Sequence, residues 1–257
     1  MRPDGREPFD IRPITIEPGF IRYPEGNVLY RAGDTVVLCS VSLTDRTAPF
    51  LRGTGEGWVT AEYAMLPRAT DTRTEREVAR GRQSGRSQEI QRLIGRALRA
   101  AVRRELLGER SLVADCDVLQ ADGSTRTAGI SGAWVSLVLA LTRMWEQGVL
   151  TDWPLVHQIA AVAVGLVRGE VRVDLDYGED LDCDVDCNLV FTGDGRLVEV
   201  QGTAEGEPFA PDALAAMVAA GWEGARQVMA AQREVVAPRL EALGLAPPPV
   251  PETRRNA

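Results

Sequence analysis

The stretch Ser111-Leu-Val-Ala-Asp-Cys-Asp-Val-Leu-Gln120 continues through Ala121-Asp-Gly-Ser-Thr-Arg-Thr127 into a long apolar segment. The first ten residues predict a β-strand, and the apolar segment predicts a helix over roughly 125–147. Because alanine, leucine and valine occupy most faces of this helix, we expect it to be buried. A strand followed by a buried helix is the order expected in an α+β unit.

Strands are predicted on the N-terminal side of this stretch. Residues 12–64 contain short alternating or β-branched runs, with a hairpin signal at Ala32-Gly33-Asp34. Residues 66–86 are polar and arginine-rich, which predicts a long, exposed and mobile segment. An apolar stripe at helical spacing follows, and it predicts a helix that begins at Ser87 or Gln88 and ends before Gly108.

The second half of the chain shows a similar order. Strands are predicted near 159–167, 170–176, 187–192 and 197–201, followed by a helix at about 210–238. Thr-Ala-Glu occurs at 60–62 and again at 203–205. These patterns predict one domain over 1–240 made of two similar halves, about 1–150 and 151–240, with mixed sheets and helices packed between them. The proline-rich residues 241–257 are predicted to be disordered.

The composition indicates a cytoplasmic protein. No apolar run approaches the roughly 20 residues of a membrane span, and the N-terminus lacks the apolar stretch of a secretory signal. Four scattered cysteines do not predict a disulfide framework, and Cys183 and Cys187 are interpreted as free thiols. Because His157 is the single histidine, zinc hydrolases and Ser-His or Cys-His nucleophile systems are disfavoured. Carboxylates and arginines are therefore expected to carry the chemistry.

Positive charge is concentrated in one segment. The 257-residue chain has a net charge of −8 and contains no lysine, so all 29 basic residues are arginine. Residues 68–104 hold eleven arginines and four acids, which is +7 and leaves −15 for the rest. A local basic patch on an acidic protein is typical of a polyanion site. The alternative is a solvated helix face held by salt bridges.

The turn before the buried helix is a candidate oxyanion site. A helix N-terminus offers free backbone N–H groups, and Gly123 lets the backbone approach a ligand closely. Ser124 and Thr125 add hydroxyls, and Arg126 adds a planar guanidinium that can bind two oxygens. The alternative is a simple helix cap by Ser124 or Thr125. Arg86, at the start of the other predicted helix, is a second candidate anion ligand.

An acidic run is the third candidate. Residues 174–186 contain seven carboxylates, and oxygen ligands of this kind suit a hard divalent cation such as Mg²⁺. They also include a possible proton donor. The alternative is an acidic surface loop. An oxyanion site, an arginine patch and a carboxylate cluster together indicate phosphoryl transfer with metal assistance.

At these residues the sequence resembles the ribonuclease PH family over nearly its whole length. The resemblance lies in several blocks that occur in the family's order. They are Met1-Arg-Pro-Asp-Gly-Arg, Gly55-Glu-Gly-Trp-Val-Thr-Ala-Glu-Tyr-Ala-Met-Leu-Pro-Arg, Gly85-Arg-Ser-Gln-Glu-Ile-Gln-Arg-Leu-Ile-Gly-Arg-Ala-Leu-Arg-Ala, Asp115-Cys-Asp-Val-Leu-Gln-Ala-Asp-Gly-Ser-Thr-Arg-Thr-Ala and Glu199-Val-Gln-Gly-Thr-Ala-Glu-Gly-Glu-Pro-Phe.

The resemblance implies a phosphate-dependent 3′→5′ exoribonuclease that trims the 3′ ends of tRNA precursors. Inorganic phosphate is then the attacking co-substrate, and nucleoside 5′-diphosphates are released. The implied fold is a duplicated βαβα unit of the ribosomal protein S5 domain 2-like kind. The implied assembly is a homo-hexamer, a trimer of dimers.

The resemblance also implies roles for particular residues. Arg86 and the segment Ser124, Thr125 and Arg126 match the family's phosphate site. Asp180 and Asp186 match aspartates assigned to Mg²⁺ binding and acid catalysis. Arginines that match RNA-binding positions are Arg68, Arg73 and Arg76.

This chain departs from the family pattern at two places in the site. The family usually has glycine at the position of Ser124, and a serine there would be strained if its φ were positive. The family also tends to have serine where this chain has Leu181, so a hydroxyl is lost from the acidic loop. Neither change removes a group that the chemistry requires.

Two other activities remain open at this point. One is a catalytically inactive RNA-binding ring subunit of the same fold, against which the intact Arg86, Arg126, Asp180 and Asp186 argue. The other is a metal-dependent hydrolytic nuclease, which would release nucleoside monophosphates and would not need phosphate.

Overall fold

Within residues 2–248, nine strands and four α-helices form two sheets with helices between them. The structure, a computed structural model, describes residues 2–248. The strands are β1 (Ile14–Pro18), β2 (Gly26–Ala32), β3 (Thr35–Thr44), β4 (Trp58–Met65), β5 (Ser111–Gln120), β6 (Ile159–Val167), β7 (Glu170–Val173), β8 (Cys183–Thr192) and β9 (Leu197–Ala204). The helices are α1 (Gly85–Ala101), α2 (Thr125–Glu146), α3 (Tyr177–Leu181) and α4 (Pro211–Glu241).

The first sheet has the strand order β1-β2-β3-β5-β4. Its neighbours are antiparallel except for β4 and β5, which run parallel with Trp58 opposite Ser111 and Met65 opposite Val118. A parallel pair needs a crossover, and α1 supplies it. The arginine-rich segment between β4 and α1 therefore lies at one edge of this sheet.

The second sheet has the strand order β7-β6-β8-β9 and is antiparallel throughout. The short helix α3 connects β7 to β8. It begins with a capping box, in which the Asp176 side chain accepts from the backbone of Glu179 and the Glu179 side chain accepts from the backbone of Asp176. This cap fixes the loop that presents Asp180.

The helix α2 is the centre of the core. It packs against β2, β3 and β5 on one side and against β6 on the other, so it contacts both sheets. Trp134, Leu137 and Leu141 are fully buried along it. By length and composition α2 could cross a membrane, but 89% of its apolar window lies inside the fold, as in the core helix of a globular domain. The predicted burial of this helix is confirmed.

The predicted fold class is confirmed, with some shifts in the elements. The first helix starts at Gly85, capped by the Ser84 hydroxyl, and ends at Ala101, so the predicted start at Ser87 or Gln88 and end near Gly108 were wrong. A separate 3-10 turn, Arg104–Leu106, fills the gap. The strand β8 begins at Cys183, four residues before the predicted start, because these four residues were assigned to the acidic run although Cys183 and Val185 alternate with acids and are buried.

The two halves are similar but not identical. Both end with a strand and a long helix, and the two Thr-Ala-Glu sequences lie on β4 and at the end of β9, which are edge strands of the two sheets. However, β8 and β9 form an antiparallel hairpin where β4 and β5 are joined by a long helix. At the C-terminal end, Leu245 packs on the core and the Pro248 carbonyl accepts from Arg233. The predicted disordered tail beyond this point, 249–257, lies outside the described residues.

Candidate functional site

A polar cavity of about 790 Å³ opens where the two halves of the chain meet. It contains four of the predicted site residues, which come from four different elements: α1, α2, α3 and β8. The residues that line it are Arg86, Glu89, Arg126, Asp180, Leu181, Asp186, Asn188, Val200, Gln201, Gly202, Thr203 and Glu205. The fold therefore brings the two candidate anion ligands together with the two candidate aspartates.

Ser124 immediately precedes α2 in a left-handed conformation, with φ of 54° and ψ of 23°. The strain anticipated for a serine at this position is therefore present. Its side chain does not cap the helix, so the simple-cap alternative does not describe it. Instead, its Oγ donates to the carbonyl oxygen of Leu175 at 2.9 Å. This bond reaches from the turn before α2 to the loop before α3.

The hydroxyl of Thr125 is also engaged within the protein. Thr125 is buried, and its Oγ1 lies 2.8 Å from the Tyr63 Oη on β4. Because both hydroxyls have protein partners, the backbone N–H groups of the first turn of α2 are the donors left for an anion. These groups lie at the N-terminal end of α2, which is the positive end of its helix dipole.

Arg126 is held by residues from both halves. Its Nη1 donates to the Gln201 Oε1 at 3.3 Å and lies 3.7 Å from the Glu89 Oε1. Gln201 in turn donates to Glu89 at 2.9 Å. Since Glu89 belongs to α1 and Gln201 to β9, the guanidinium is fixed across the cavity rather than free in solvent.

Arg86 lies in the first turn of α1 and is exposed. The Ser84 side chain accepts from the Ser87 backbone N–H at 3.1 Å, which fixes the beginning of this helix. The start of α1 therefore faces the same cavity as the start of α2, and each helix contributes one arginine to it. Two positive helix ends and two guanidinium groups form a strongly anion-attracting wall.

The opposite wall carries the carboxylates. Asp180 lies in α3, and Asp186 lies on β8, where the Asn188 Nδ2 donates to both of its oxygens at 3.1 and 3.3 Å. Burial raises the pKa of Asp180, while the charges of Arg86 and Arg126 act in the opposite direction. Burial also raises the pKa of Asp186, and the neighbouring charge of Asp180 raises it further. Both carboxyls therefore hold a proton more readily than free aspartates.

These carboxylates could supply only some of the ligands that a magnesium ion needs. Glu205 lies close enough to raise the pKa of both aspartates, so the wall is rich in oxygen donors. Within residues 2–248, however, no three His, Cys, Asp or Glu side chains are grouped as a complete metal cluster. Mg²⁺ usually binds through one or two carboxylates, with waters and substrate phosphates completing its octahedron. Asp180 and Asp186 match that mode.

The predicted RNA-binding arginines lie outside this cavity. Arg68, Arg73 and Arg76 are all exposed on the segment between β4 and α1. Arg76 lines a second cavity of about 430 Å³, which shares Arg86 with the first. Its floor is formed by carboxylates of β4 and β5, including Asp115 and Asp117. The structure thus places one predicted RNA-binding arginine in a groove continuous with the anion wall.

We expect Asp115→Asn to stabilise the protein at neutral pH. Burial raises the pKa of Asp115, and Glu62, its partner on β4, raises it further. Because the folded-state pKa of Asp115 is raised, the protein loses stability as the pH rises through that pKa and the carboxyl becomes charged. Replacing the carboxyl by an amide should therefore raise the free energy of unfolding at pH 7 and leave it unchanged at low pH, where the carboxyl is protonated. Because the side chain is only partly buried, the gain should be at most about 0.5 kcal/mol.

Thermal unfolding at several pH values measures this gain. Asp45→Asn, at an exposed position after β3, is the control and should leave Tm unchanged. A lower Tm for Asp115→Asn at pH 7 would contradict the expectation.

Several residues of the cavity were not predicted. Glu89, Asn188, Gln201 and Glu205 act beside the predicted ligands, and none belongs to a pattern that indicates chemistry by itself. Glu205 could have been identified from the sequence, because it is the last residue of the second Thr-Ala-Glu and matches Glu62 in the first. The cysteines next to the site are free, and burial raises the pKa of Cys183 to about 11.

Three solved structures share this fold. The rice (Oryza sativa) protein Rrp46 matches with a TM-score of 0.75 and 18% identity, over 92% of this chain and 100% of that one. A chain of the Archaeoglobus fulgidus exosome with RNA bound to the active site matches with a TM-score of 0.74 and 22% identity, over 88% and 91%. A chain of an archaeal exosome core gives 0.71 and 20%, over 90% of each chain. At these identities the likeness establishes the fold.

The sequence itself assigns the family. The pattern of domain 1 of the 3′ exoribonuclease family (RNase PH) matches residues 10–142, and that of domain 2 matches residues 157–224. The chain therefore belongs to the RNase PH family of 3′ exoribonucleases, as its sequence blocks indicated. The boundary between the two matches falls between α2 and β6, where the two halves join.

Proposed function

We propose that this protein is a phosphate-dependent 3′→5′ exoribonuclease that trims tRNA precursors and releases nucleoside 5′-diphosphates. The observation that carries the proposal is one cavity lined by Arg86 and Arg126 together with Asp180 and Asp186. Guanidinium groups bind phosphate oxygens in pairs, and a raised carboxyl pKa suits a proton donor.

In this mechanism inorganic phosphate binds between Arg86, Arg126 and the N–H groups that begin α2. One of its oxygens forms a bond to the phosphorus of the last 3′–5′ linkage, and the bond from that phosphorus to the 3′ oxygen breaks. Asp180 or Asp186 protonates the departing 3′ oxygen, so the shortened RNA ends in a hydroxyl. The departing nucleotide carries its own phosphate joined to the attacking one, which is a nucleoside 5′-diphosphate.

Asp180 and Asp186 would also hold Mg²⁺, which would supply neutralisation of the charge that develops on the phosphate oxygens. The RNA backbone would lie along the exposed arginines Arg68, Arg73 and Arg76, next to the second cavity, which Arg76 and Arg86 both line. We further propose a homo-hexameric ring, a trimer of dimers, in the cytoplasm. The likeness of this fold to chains of two archaeal exosomes, one of them with RNA bound, supports an assembled, RNA-binding form.

Incubation with a short single-stranded RNA, with and without inorganic phosphate, tests the activity. We expect nucleoside diphosphates and a shortened RNA only when phosphate and Mg²⁺ are both present. Monophosphates formed without phosphate would instead identify a hydrolytic nuclease. RNA that is bound but not shortened would identify an inactive ring subunit, an alternative kept open by the structural likeness to exosome subunits.

A further inference from the structure

The two loops that form the candidate site are joined directly to each other. We name residues 121–124, before α2, the phosphate loop, and residues 174–182, which include α3, the acid loop. The Ser124 Oγ donates to the Leu175 carbonyl at 2.9 Å, and the Tyr177 backbone N–H donates to the Asp122 carboxylate at 3.3 Å. The two loops come from different halves of the chain, about 50 residues apart.

Gly123 allows this close approach. Its φ is 71°, and a Cβ at this position would lie 2.5 Å from the Leu175 carbonyl oxygen and 2.7 Å from the Asp176 carbonyl carbon. No side chain fits between the two backbones. From the sequence, Gly123 was interpreted as leaving space for a ligand to approach the backbone. The structure shows that the acid loop occupies this space.

A buried arginine, Arg12, binds both loops. Arg12 is 4% exposed, and its Nε and Nη2 donate to the two Asp174 carboxylate oxygens at 2.9 and 2.7 Å. Its Nη1 donates to the Asp122 carbonyl of the phosphate loop. One planar guanidinium therefore binds the first residue of the acid loop and the middle of the phosphate loop.

A second buried arginine fixes the far side of the acid loop. Arg2 donates from Nε and Nη2 to the two Glu179 carboxylate oxygens at 2.8 and 2.6 Å. The same guanidinium donates to the carbonyls of Val173 and Asp174, both at 2.9 Å. Glu179 directly precedes Asp180, so the chain segment that carries this aspartate is held at both ends. Of the contacts that link the acid loop to the phosphate loop, the Ser124 bond is the one made by the residue directly before the first turn of α2.

We infer that Ser124 is a positioning residue that couples the two loops, so that phosphate bound at the start of α2 orders the acid loop and Asp180. This inference rests on the proposed function and adds to it. The Ser124 hydroxyl donates its proton to Leu175, so it presents lone pairs rather than a donor to an anion. Direct phosphate binding by this side chain is therefore disfavoured. A glycine, which the family usually has here, could not form this link.

Hydrogen exchange measured by mass spectrometry tests the coupling, with inorganic phosphate as the probe. In the unaltered protein, phosphate should slow exchange in peptides covering 124–128 and also in those covering 174–182. In Ser124→Ala the protection of 124–128 should remain, while residues 174–182 should exchange about 3- to 10-fold faster, with or without phosphate, for the loss of one hydrogen bond. Thr127→Ala is the matched control, because its Oγ1 donates to Ser124 within the same turn and does not reach the acid loop.

Kinetics give a second measurement. Loss of positioning should lower kcat in Ser124→Ala with little change in KM for phosphate, whereas loss of a direct phosphate contact should raise KM. Ser124→Gly also lacks the hydroxyl but relieves the positive φ, so it serves if the alanine variant folds poorly.

The outcomes separate the inference from the proposed function. Protection by phosphate confined to 124–128, or unchanged exchange at 174–182 in both Ser124 variants, would overturn the coupling. No protection by phosphate anywhere in the unaltered protein would count against the proposed phosphate site. Faster exchange at 174–182 in the variants without phosphate would still support the link between the loops.

Discussion

Arg126→Ala should abolish phosphorolysis while leaving RNA binding nearly unchanged. Arg126 presents its guanidinium to the cavity from the first turn of α2, and Gln201 and Glu89 hold it there. The alanine variant loses both the charge and the paired donors that would bind phosphate. Removing one such donor from an oxyanion site typically costs about 10²–10³-fold in rate, so we expect at least that loss in kcat/KM for phosphate.

The control for this experiment lies on the same helix. Arg143→Ala removes an arginine about 25 Å further along α2, where its Nη1 contacts only the Pro24 carbonyl in a separate surface groove. Its activity should remain within about two-fold of the unaltered protein. Release of diphosphates at the full rate by Arg126→Ala would remove Arg126 from the phosphate site.

Asp186→Asn should reduce phosphorolysis by about 10²-fold or more, the usual size of a general acid contribution. The substitution keeps the shape of the side chain but removes its charge and its ability to give up a proton. Asn188, which donates to both Asp186 oxygens, would face an amide that accepts at only one atom. Activity should be measured over a range of Mg²⁺ concentrations, because a weakened metal site would be partly compensated at high Mg²⁺.

Asp184→Asn is the matched control for this change. Asp184 lies on the same strand two residues earlier, is exposed, and does not line the cavity. It should keep near-normal rates at every Mg²⁺ concentration. If Asp186→Asn matches it, then Asp186 is neither the proton donor nor a necessary metal ligand, and Asp180 would be the remaining candidate.

The sequence predicted most of the architecture where the pattern was continuous. The strand over 111–120 and the helix α2 were found within one residue of their ends, because alternation and then uniform apolarity leave few other structures possible. The start of β8 was missed because residues 183–186 were read as part of the acidic run, although buried Cys183 and Val185 alternate with acids as in a strand. The start of α1 was missed because Ser84 and Ser87 could each cap a helix.

The individual ligands of the site could be predicted, but not the links between them. Arg86 and Arg126 belong to blocks that resemble the family, Asp180 and Asp186 lie in the acidic run 174–186, and the structure brings all four to one cavity. The bond from Ser124 to Leu175 depends on how two halves pack, and no local pattern encodes it. Arg2 and Arg12 were not singled out, because arginines are mostly exposed and a buried one is revealed only by its carboxylate partner.

The pairing of Arg2 with Glu179 has a consequence for the nascent chain. These residues are 177 positions apart, so 177 further residues must be synthesised after Arg2 before its guanidinium can be buried against Glu179. At about 5–20 residues per second, that interval is roughly 9–35 seconds. Gln201 and Glu205 emerge later still. The ribosome must therefore synthesise at least 205 of the 257 residues before every residue that lines the cavity exists, so a shorter nascent chain lacks the complete cavity.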